Sequence, residues 1–193
     1  MPVVETPGAL TPVFLPQLVD LRLFGEDAII AEFMRVVDMS SPLHNVLIYF
    51  NYTNTPAAAR VDTMRQILAA YYECQRLEYP RKVDRFAVSL TSFGYEATFN
   101  AVSCPTPASR QTSNLTLRFH GAGNALAEQV IPLFPLKYVR EFAAEGLEFV
   151  TNSWRWRLGK MEGLLHLQLT HQNIGPLLDA LDFDDGGMYG EAT

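Results

Sequence analysis

The chain has little of what marks secreted, membrane-spanning or nucleic-acid-binding proteins. It contains only 2 cysteines, Cys74 and Cys104, which are too few for a disulfide framework and do not form a CxxC metal pair. No window approaches the ~18 uncharged apolar residues of a membrane span, and the N-terminus has no signal-peptide pattern. The net charge is −6, so nothing attracts phosphate backbones in bulk. These absences predict a soluble cytoplasmic protein without general nucleic-acid binding.

Sequence motifs for catalysis and cofactor binding are also missing. The G-x-S-x-G elbow, the P-loop and the G-x-G-x-x-G turn do not occur. Cys104 and His120 are the nearest nucleophile and base, but predicted strand pairing would hold them roughly 20 Å apart at about 3.3 Å per residue. His166 and His171 would point to opposite faces of one predicted strand, which disfavours a shared metal ion. We therefore expect no cofactor, no metal and no enzymatic activity.

Charged side chains are scarce as well. They make up 19% of the chain, against roughly 25% in an average soluble protein, while apolar residues make up 48%. This balance leaves apolar surface that a second copy or another protein could cover. The alternative is a well-packed monomer.

Prolines and acidic residues divide the chain into three parts. Residues 1–17 are predicted to form an extended arm, because each proline withholds a backbone donor and biases the preceding residue away from helix. Residues 18–183 are predicted to form a single domain. Residues 184–193 are rich in Asp and Gly and are predicted to be a flexible tail. The prolines of the arm are Pro2, Pro7, Pro12 and Pro16.

One stretch predicts a β-hairpin between Phe86 and Ala101. A turn at Phe93 and Gly94 pairs Phe86 with Ala101, and the same register pairs Leu90 with Ala97 and Val88 with Phe99. Strand side chains alternate with period two, so this register places one apolar set on one face. A third strand, with Leu115, Leu117 and Phe119 alternating with polar residues, is predicted to pair beside it.

A second stretch, Thr151 to Thr170, predicts a hairpin with its turn at residues 159–162. Trp154 and Trp156 then lie on an apolar face, while Arg155 lies opposite His166 on a polar face. Periodic apolar residues predict helices elsewhere. These helices are predicted at residues 26–37, 55–79, 123–131, 135–146 and 176–181.

Hairpins separated by helices predict the α+β class. We expect a mostly antiparallel sheet built from hairpins, with helices packed on one face. The second hairpin would also carry a positive strip, because its polar face and turn hold cations and the acidic tail is a matching partner. The strip comprises Arg155, Arg157, His166 and Lys160, and its predicted partner segment comprises Asp182, Asp184 and Asp185. The alternative is a solvated sheet face.

The leading hypothesis for function is a non-enzymatic structural or interaction protein that forms homo-oligomers or binds one specific protein. By analogy with arm-bearing subunits, a viral or phage assembly is the expected setting. The alternative is a small-molecule-binding protein, or a small isomerase-like or hydrolase-like enzyme on a curved antiparallel sheet. In that alternative Trp154 and Trp156 line a pocket; otherwise they are core residues.

Overall fold

A computed structural model describes residues 13–38, 43–51, 56–74, 83–91, 96–103, 112–121 and 123–182. Most of the predicted arm, Cys104, and the tail with Asp184 and Asp185 lie outside the described residues. The side chain of Cys74 lies outside them too.

The described residues form nine strands and five α-helices. The strands are β1 (Val13–Phe14), β2 (Asp20–Gly25), β3 (Val37–Asp38), β4 (Asn45–Phe50), β5 (Val83–Leu90), β6 (Glu96–Ser103), β7 (Ser113–His120), β8 (Glu141–Glu145) and β9 (His166–Thr170). The helices are α1 (Asp27–Val36), α2 (Ala57–Cys74), α3 (Asn124–Val130), α4 (Thr151–Lys160) and α5 (Gly175–Leu181).

Seven strands form one mixed sheet in the order β2-β4-β7-β6-β5-β8-β9. Only the pairs β5–β6 and β6–β7 are antiparallel, so β6 runs against the other six strands. A separate two-residue pairing joins β1 to β3 in parallel. The fold is therefore α/β, and the prediction of a mostly antiparallel α+β sheet is wrong.

The connections between parallel strands explain where the helices lie. The crossovers β2–α1–β4, β4–α2–β5, β7–α3–β8 and β8–α4–β9 all move across the sheet in the same direction. Such crossovers are almost always right-handed, and crossovers of one hand and one direction place their helices on the same face. Strict burial alternation along the central strands agrees with this arrangement. One face of the sheet is thus covered by helices, and we call the other the open face.

The hairpin at β5 and β6 has the register that the sequence predicts. Val88 pairs with Phe99, Leu90 with Ala97 and Phe86 with Ala101. The third predicted strand is β7, which pairs antiparallel with β6. These pairings are local in sequence, and the alternation of large apolar and polar side chains fixes their register.

The predicted hairpin at Thr151–Thr170 is wrong, because its first half is helix α4 and only its second half is a strand. A parallel neighbour for β8 requires a long crossover rather than a tight turn, and α4 supplies it. Phe149 before the helix packs edge-to-face on Trp154 with ring centroids 5.1 Å apart. This is a hydrophobic staple, which fixes the start of the helix.

The helix predicted at residues 135–146 is also wrong. Leu136–Tyr138 forms a single 3-10 turn, and Glu141–Glu145 is strand β8. Phe142 and Ala144 are buried beside β5, while Glu141, Ala143 and Glu145 point to the other face, so tertiary pairing overrides helix propensity here. Gly146 has φ +66, and an added Cβ would lie 2.7 Å from the backbone oxygen of Leu90, so a glycine is required there.

The core lies between the sheet and the helices and is rich in stacked aromatic rings. Phe50 stacks on Phe119 at 4.5 Å between centroids, and Phe86 lies 4.6 Å from Phe134. One ion pair is buried beside this core, where Arg60 Nε of α2 donates to Asp27 Oδ2 of α1 at 3.1 Å. The aromatic core holds the helical layer to one face of the sheet, and the ion pair joins α1 to α2.

Candidate interaction face

The open face spans all seven strands of the large sheet. Backbone register aligns its outward residues into rows that run across the strands. The central row is Arg22, Leu47, Thr116, Asn100, Ala87, Ala143 and Gln168. None of the described helices covers this face.

The side of the open face formed by β2 and β4 carries large side chains. Leu47 and Tyr49 are half-buried, and Phe24 is 66% exposed. The rings of Phe24 and Tyr49 lie 5.9 Å apart between centroids. None of these three side chains packs against the core cluster, so they form a projecting apolar surface on the open face.

The side formed by β5, β8 and β9 carries small side chains and is recessed. A depression of about 280 Å³ lies over Ala87, Ala143 and Gln168. A second depression of about 240 Å³ continues over the same residues toward Ser89 and Glu145. The two share Asn100 of β6, and together they form a trough, which exists because Ala87 and Ser89 of β5 and Ala143 of β8 are small.

Polar groups surround this trough. At one end Arg85 Nε donates to Glu141 Oε2 at 3.2 Å, and His166 lies in the same row. On the floor, the Oδ1 atom of Asn100 is buried and has no hydrogen-bond partner among the described residues. At the other end lies the exposed Glu145. A buried acceptor without a partner favours a contact from outside the chain.

Unpaired charges differ between the two sides of the face. Arg22 and Arg118 are exposed on β2 and β7, and neither forms an ion pair within the described residues. Glu145 on β8 likewise has no ion-pair partner in the described part of the chain. The half of the face formed by β2, β4 and β7 therefore carries two exposed arginines against one exposed acid, Asp20, whereas the recessed side carries the exposed Glu145.

The predicted positive strip is not a single surface. His166 lies on the open face, whereas Arg155, Arg157 and Lys160 lie on α4 in the helical layer. Arg157 is buried at 2% exposure, and Lys160 is exposed at the end of α4. The predicted hairpin that would place these residues on one sheet face is wrong, and a role for them in binding an acidic segment stays a prediction.

Arg155 contacts the last described helix of the chain. Arg155 Nη2 donates to the backbone oxygen of Asp179 in α5 at 3.0 Å. Asp182 follows that helix directly and is exposed. Docking of the acidic segment on Arg155 stays a prediction, because Asp184 and Asp185 lie beyond the described residues.

The two tryptophans lie in different environments. Trp154 is 1% exposed and belongs to the core, whereas Trp156 is 42% exposed and lines a cleft between α3 and α4. They therefore do not line one pocket. Sequence reasoning also missed the trough, because Ala87 and Ala143 carry no signal until the strand order places them side by side.

Within the described ranges, no three His, Cys, Asp or Glu residues could together hold a metal ion. Among the helices described, none has the length and apolarity needed to cross a membrane. No family model matches the chain, and no curated protein or solved structure is significantly similar to it.

Proposed function

We propose that this protein is a non-enzymatic interaction protein that self-associates, and that two copies pair through their open faces. The observation that carries the proposal is a mostly parallel sheet whose crossover helices, among the residues that the structure describes, lie on one face. Sheets of parallel strands are normally covered on both faces. A second copy would supply the missing layer.

The size of the open face suits such a pairing. Seven strands spaced at about 4.8 Å span roughly 29 Å, and the central strands of eight residues extend about 26 Å. With shorter strands at the edges, the footprint is roughly 650 Å², close to the roughly 800 Å² per partner of a typical stable complex. Face-to-face packing therefore supplies enough area for a specific dimer.

The shape of the face is complementary to itself. A twofold axis along β6, the middle strand, would place β4 of one copy over β8 of the other and β7 over β5. Leu47 would then face Ala143 of the second copy, because both lie in the central row. Packed sheets cross at about 30°, so each of these residues would contact several residues of the second copy rather than a single one. Large side chains on one side would enter the trough on the other.

The charges support the same arrangement. The twofold axis would bring Asp20 toward His166 of the second copy, and Arg118 toward the neighbourhood of Glu145. Complementary potentials across an interface favour one orientation and suppress others. Edge-to-edge pairing would leave these charges apart.

The proposal includes an intracellular setting. A chain with 2 cysteines suits a reducing compartment such as the cytoplasm, where disulfides are rare. Use as a subunit of a larger assembly, including a viral one, is part of the same proposal. It requires a further contact beyond the open face, for which the N-terminal arm is the candidate.

The test is the molar mass in solution, measured by light scattering after gel filtration over a concentration series. The full chain is expected to rise above its single-chain mass of 21.7 kDa toward twice that value. Ala143→Arg fills the trough with a long cation and is expected to give a monomer. The matched control is Ala59→Arg at an exposed position on α2, which is expected to leave the dimer intact.

A full chain that stays at the mass of one copy at every concentration would overturn the proposal. Equal dimerisation of Ala143→Arg and Ala59→Arg would show that copies pair elsewhere. A version that begins at Val19 separates the arm from the face. If the open face is sufficient for pairing, this shortened chain remains dimeric.

A further inference from the structure

A cleft between α3 and α4 lies in the helical layer, away from the open face. Its volume is about 440 Å³. Both helices contribute polar and apolar side chains to its walls. The residues that matter below are Ala125, Glu128, Pro132, Ser153, Trp156 and Arg157.

Arg157 is the unusual member of this cleft. Its side chain is almost completely buried, and Cζ lies 3.8 Å from the ring centroid of Phe149, so the guanidinium stacks on that ring. The Nε atom is buried without a hydrogen-bond partner, and no ion pair reaches the group from the described residues. Loss of water lowers the pKa of Arg157 to about 10, and the charge of Glu128 partly opposes that shift. The guanidinium therefore stays protonated at neutral pH while its hydrogen-bonding capacity goes unused.

Glu128 lies in the same cleft but does not pair with Arg157. Ser153 Oγ of α4 donates to Glu128 Oε1 at 2.9 Å, and this hydrogen bond holds the carboxylate against α4. One positive and one negative group thus line one cavity without forming a salt bridge. Buried charges are normally paired, so the unpaired Nε of Arg157 points to a partner from outside the chain, and the half-buried Glu128 lies in the same cleft.

The charge balance selects the chemistry of that partner. Phosphate or another dianion would gain contact with Arg157 but would be repelled by Glu128. A simple cation would be attracted by Glu128 but repelled by Arg157. A zwitterion matches both groups, because its anionic end can accept from the guanidinium while its cationic end donates to the carboxylate.

The remaining walls of the cleft are apolar. Trp156 presents an indole that is 42% exposed, and Pro132 and Ala125 of the α3 region lie in the same cleft. Small-molecule sites commonly combine apolar walls with a few polar groups that fix orientation. Trp156 offers a flat surface for an apolar or aromatic group.

We propose that the α3–α4 cleft binds a free α-amino acid with an apolar side chain. Arg157 holds the α-carboxylate, Glu128 holds the α-ammonium group, and the side chain packs on Trp156. This site goes beyond self-association and does not depend on it. No bond of the ligand is made or broken there.

The test is isothermal titration calorimetry of the full chain with L-phenylalanine and L-leucine. L-phenylalaninamide lacks the carboxylate and N-acetyl-L-phenylalanine lacks the ammonium group, so both are expected to bind at least about tenfold more weakly, as loss of a charge-assisted hydrogen bond predicts. Inorganic phosphate is expected not to bind in the cleft.

Two variants locate the binding. Glu128→Gln removes the charge at a half-buried position and is expected to weaken binding about tenfold. Arg157→Lys keeps the charge but loses the planar fork, and it is expected to weaken binding as well. Arg157 is buried, so the lysine variant could fail to fold. In that case the affinity of Glu128→Gln alone decides whether the cleft is the binding site. Glu148→Gln, an exposed carboxylate beside the helical layer, is the matched control and is expected to change nothing.

Three results would overturn the proposal. The first is no heat of binding with either amino acid at millimolar concentration. The second is equal binding of N-acetyl-L-phenylalanine and L-phenylalanine, which would make this a simple carboxylate site. The third is phosphate that binds more tightly than the amino acids and competes with them.

Discussion

The two faces of the large sheet use the same strands for different purposes. On the covered face, β5, β6 and β8 contribute the buried rings of Phe86, Phe99 and Phe142. On the open face, neighbouring positions of those strands hold Ala87, Asn100 and Ala143. Large rings stabilise the fold, whereas small and polar residues leave a surface that another molecule can occupy. The covered face therefore holds the core that stabilises the fold, and the open face is the surface on which pairing is proposed.

The ion pairs repeat this difference. Asp27 and Arg60 are both 5% exposed at the side chain, while Arg85 and Glu141 on the open face are 63% and 45% exposed. Solvent screens the exposed pair, so it contributes little to stability. The buried pair is costly to break, because either partner alone would be an uncompensated charge.

The largest effect is expected on the covered face. Phe99→Ala removes a ring that contacts Phe119 and Phe134, and it is expected to lower the free energy of unfolding by about 3–5 kcal/mol. Thr98→Ala changes the adjacent residue on the open face and is expected to cost less than about 1 kcal/mol. Urea denaturation followed by circular dichroism measures both. Equal losses would contradict the division between the faces.

The buried ion pair gives the next largest effect. Asp27→Asn keeps the shape of the side chain but leaves the Arg60 guanidinium without its counter-charge, and it is expected to lower the free energy of unfolding by about 3 kcal/mol. Glu32→Gln breaks the exposed pair with Arg35 and is expected to have no measurable effect. A stable Asp27→Asn variant would show that the pair does not hold α1 to α2.

A charge exchange tests the open face with a smaller effect. Glu145→Lys would place a cation near Arg118 of the second copy, and it is expected to raise the dimer dissociation constant about tenfold, or about 1.4 kcal/mol. The double variant Arg118→Glu with Glu145→Lys is expected to restore pairing. Glu148→Lys is the control outside the face. Analytical ultracentrifugation at two salt concentrations measures all four proteins, and failure of the double variant to recover would contradict the proposed orientation.

The smallest effect concerns a single hydroxyl in the helical layer. The Tyr72 hydroxyl on α2 is buried without a hydrogen-bond partner in the described residues, and this burial raises its pKa above the usual range. A raised tyrosine pKa favours the neutral form in the fold, so the stability contribution is present below pH about 10 and falls as the pH rises further.

Removing that hydroxyl tests the assignment. Tyr72→Phe is expected to raise the free energy of unfolding by up to about 1 kcal/mol, because an unsatisfied group is removed. It is also expected to reduce the loss of stability above pH 10, the ordinary tyrosine value. Denaturation curves across alkaline pH measure both effects. A destabilised variant would indicate that the hydroxyl has a partner.

Sequence periodicity predicts the local part of this fold and fails for the rest. The β5–β6 register is predictable because few residues separate the two strands in the sequence and Val88, Leu90 and Phe99 face one side. In α4 the alternation of Trp154 and Trp156 with arginines imitates a strand. The secondary structure of β8 and β9 depends on parallel pairing with strands that are distant in sequence, and a local residue pattern does not predict such pairing.

The candidate sites show the same limit. The open face depends on strand order, which brings Leu47 of β4 and Ala143 of β8 into one row across four strand pairings. The sequence pattern predicts Arg157 beside the polar face of a hairpin, but α4 buries its side chain against Phe149. A charge that becomes buried through helix packing is not visible in a linear charge pattern.

The most direct measurement of the central claim is small-angle X-ray scattering of the full chain beside the Ala143→Arg monomer. The difference between their squared radii of gyration gives the distance between the centres of the two copies. Face-to-face pairing stacks four layers about 10 Å apart and predicts a distance of about 20 Å. In edge-to-edge pairing the two centres would be seven strand spacings of about 4.8 Å apart, or about 34 Å. That distance would contradict the account.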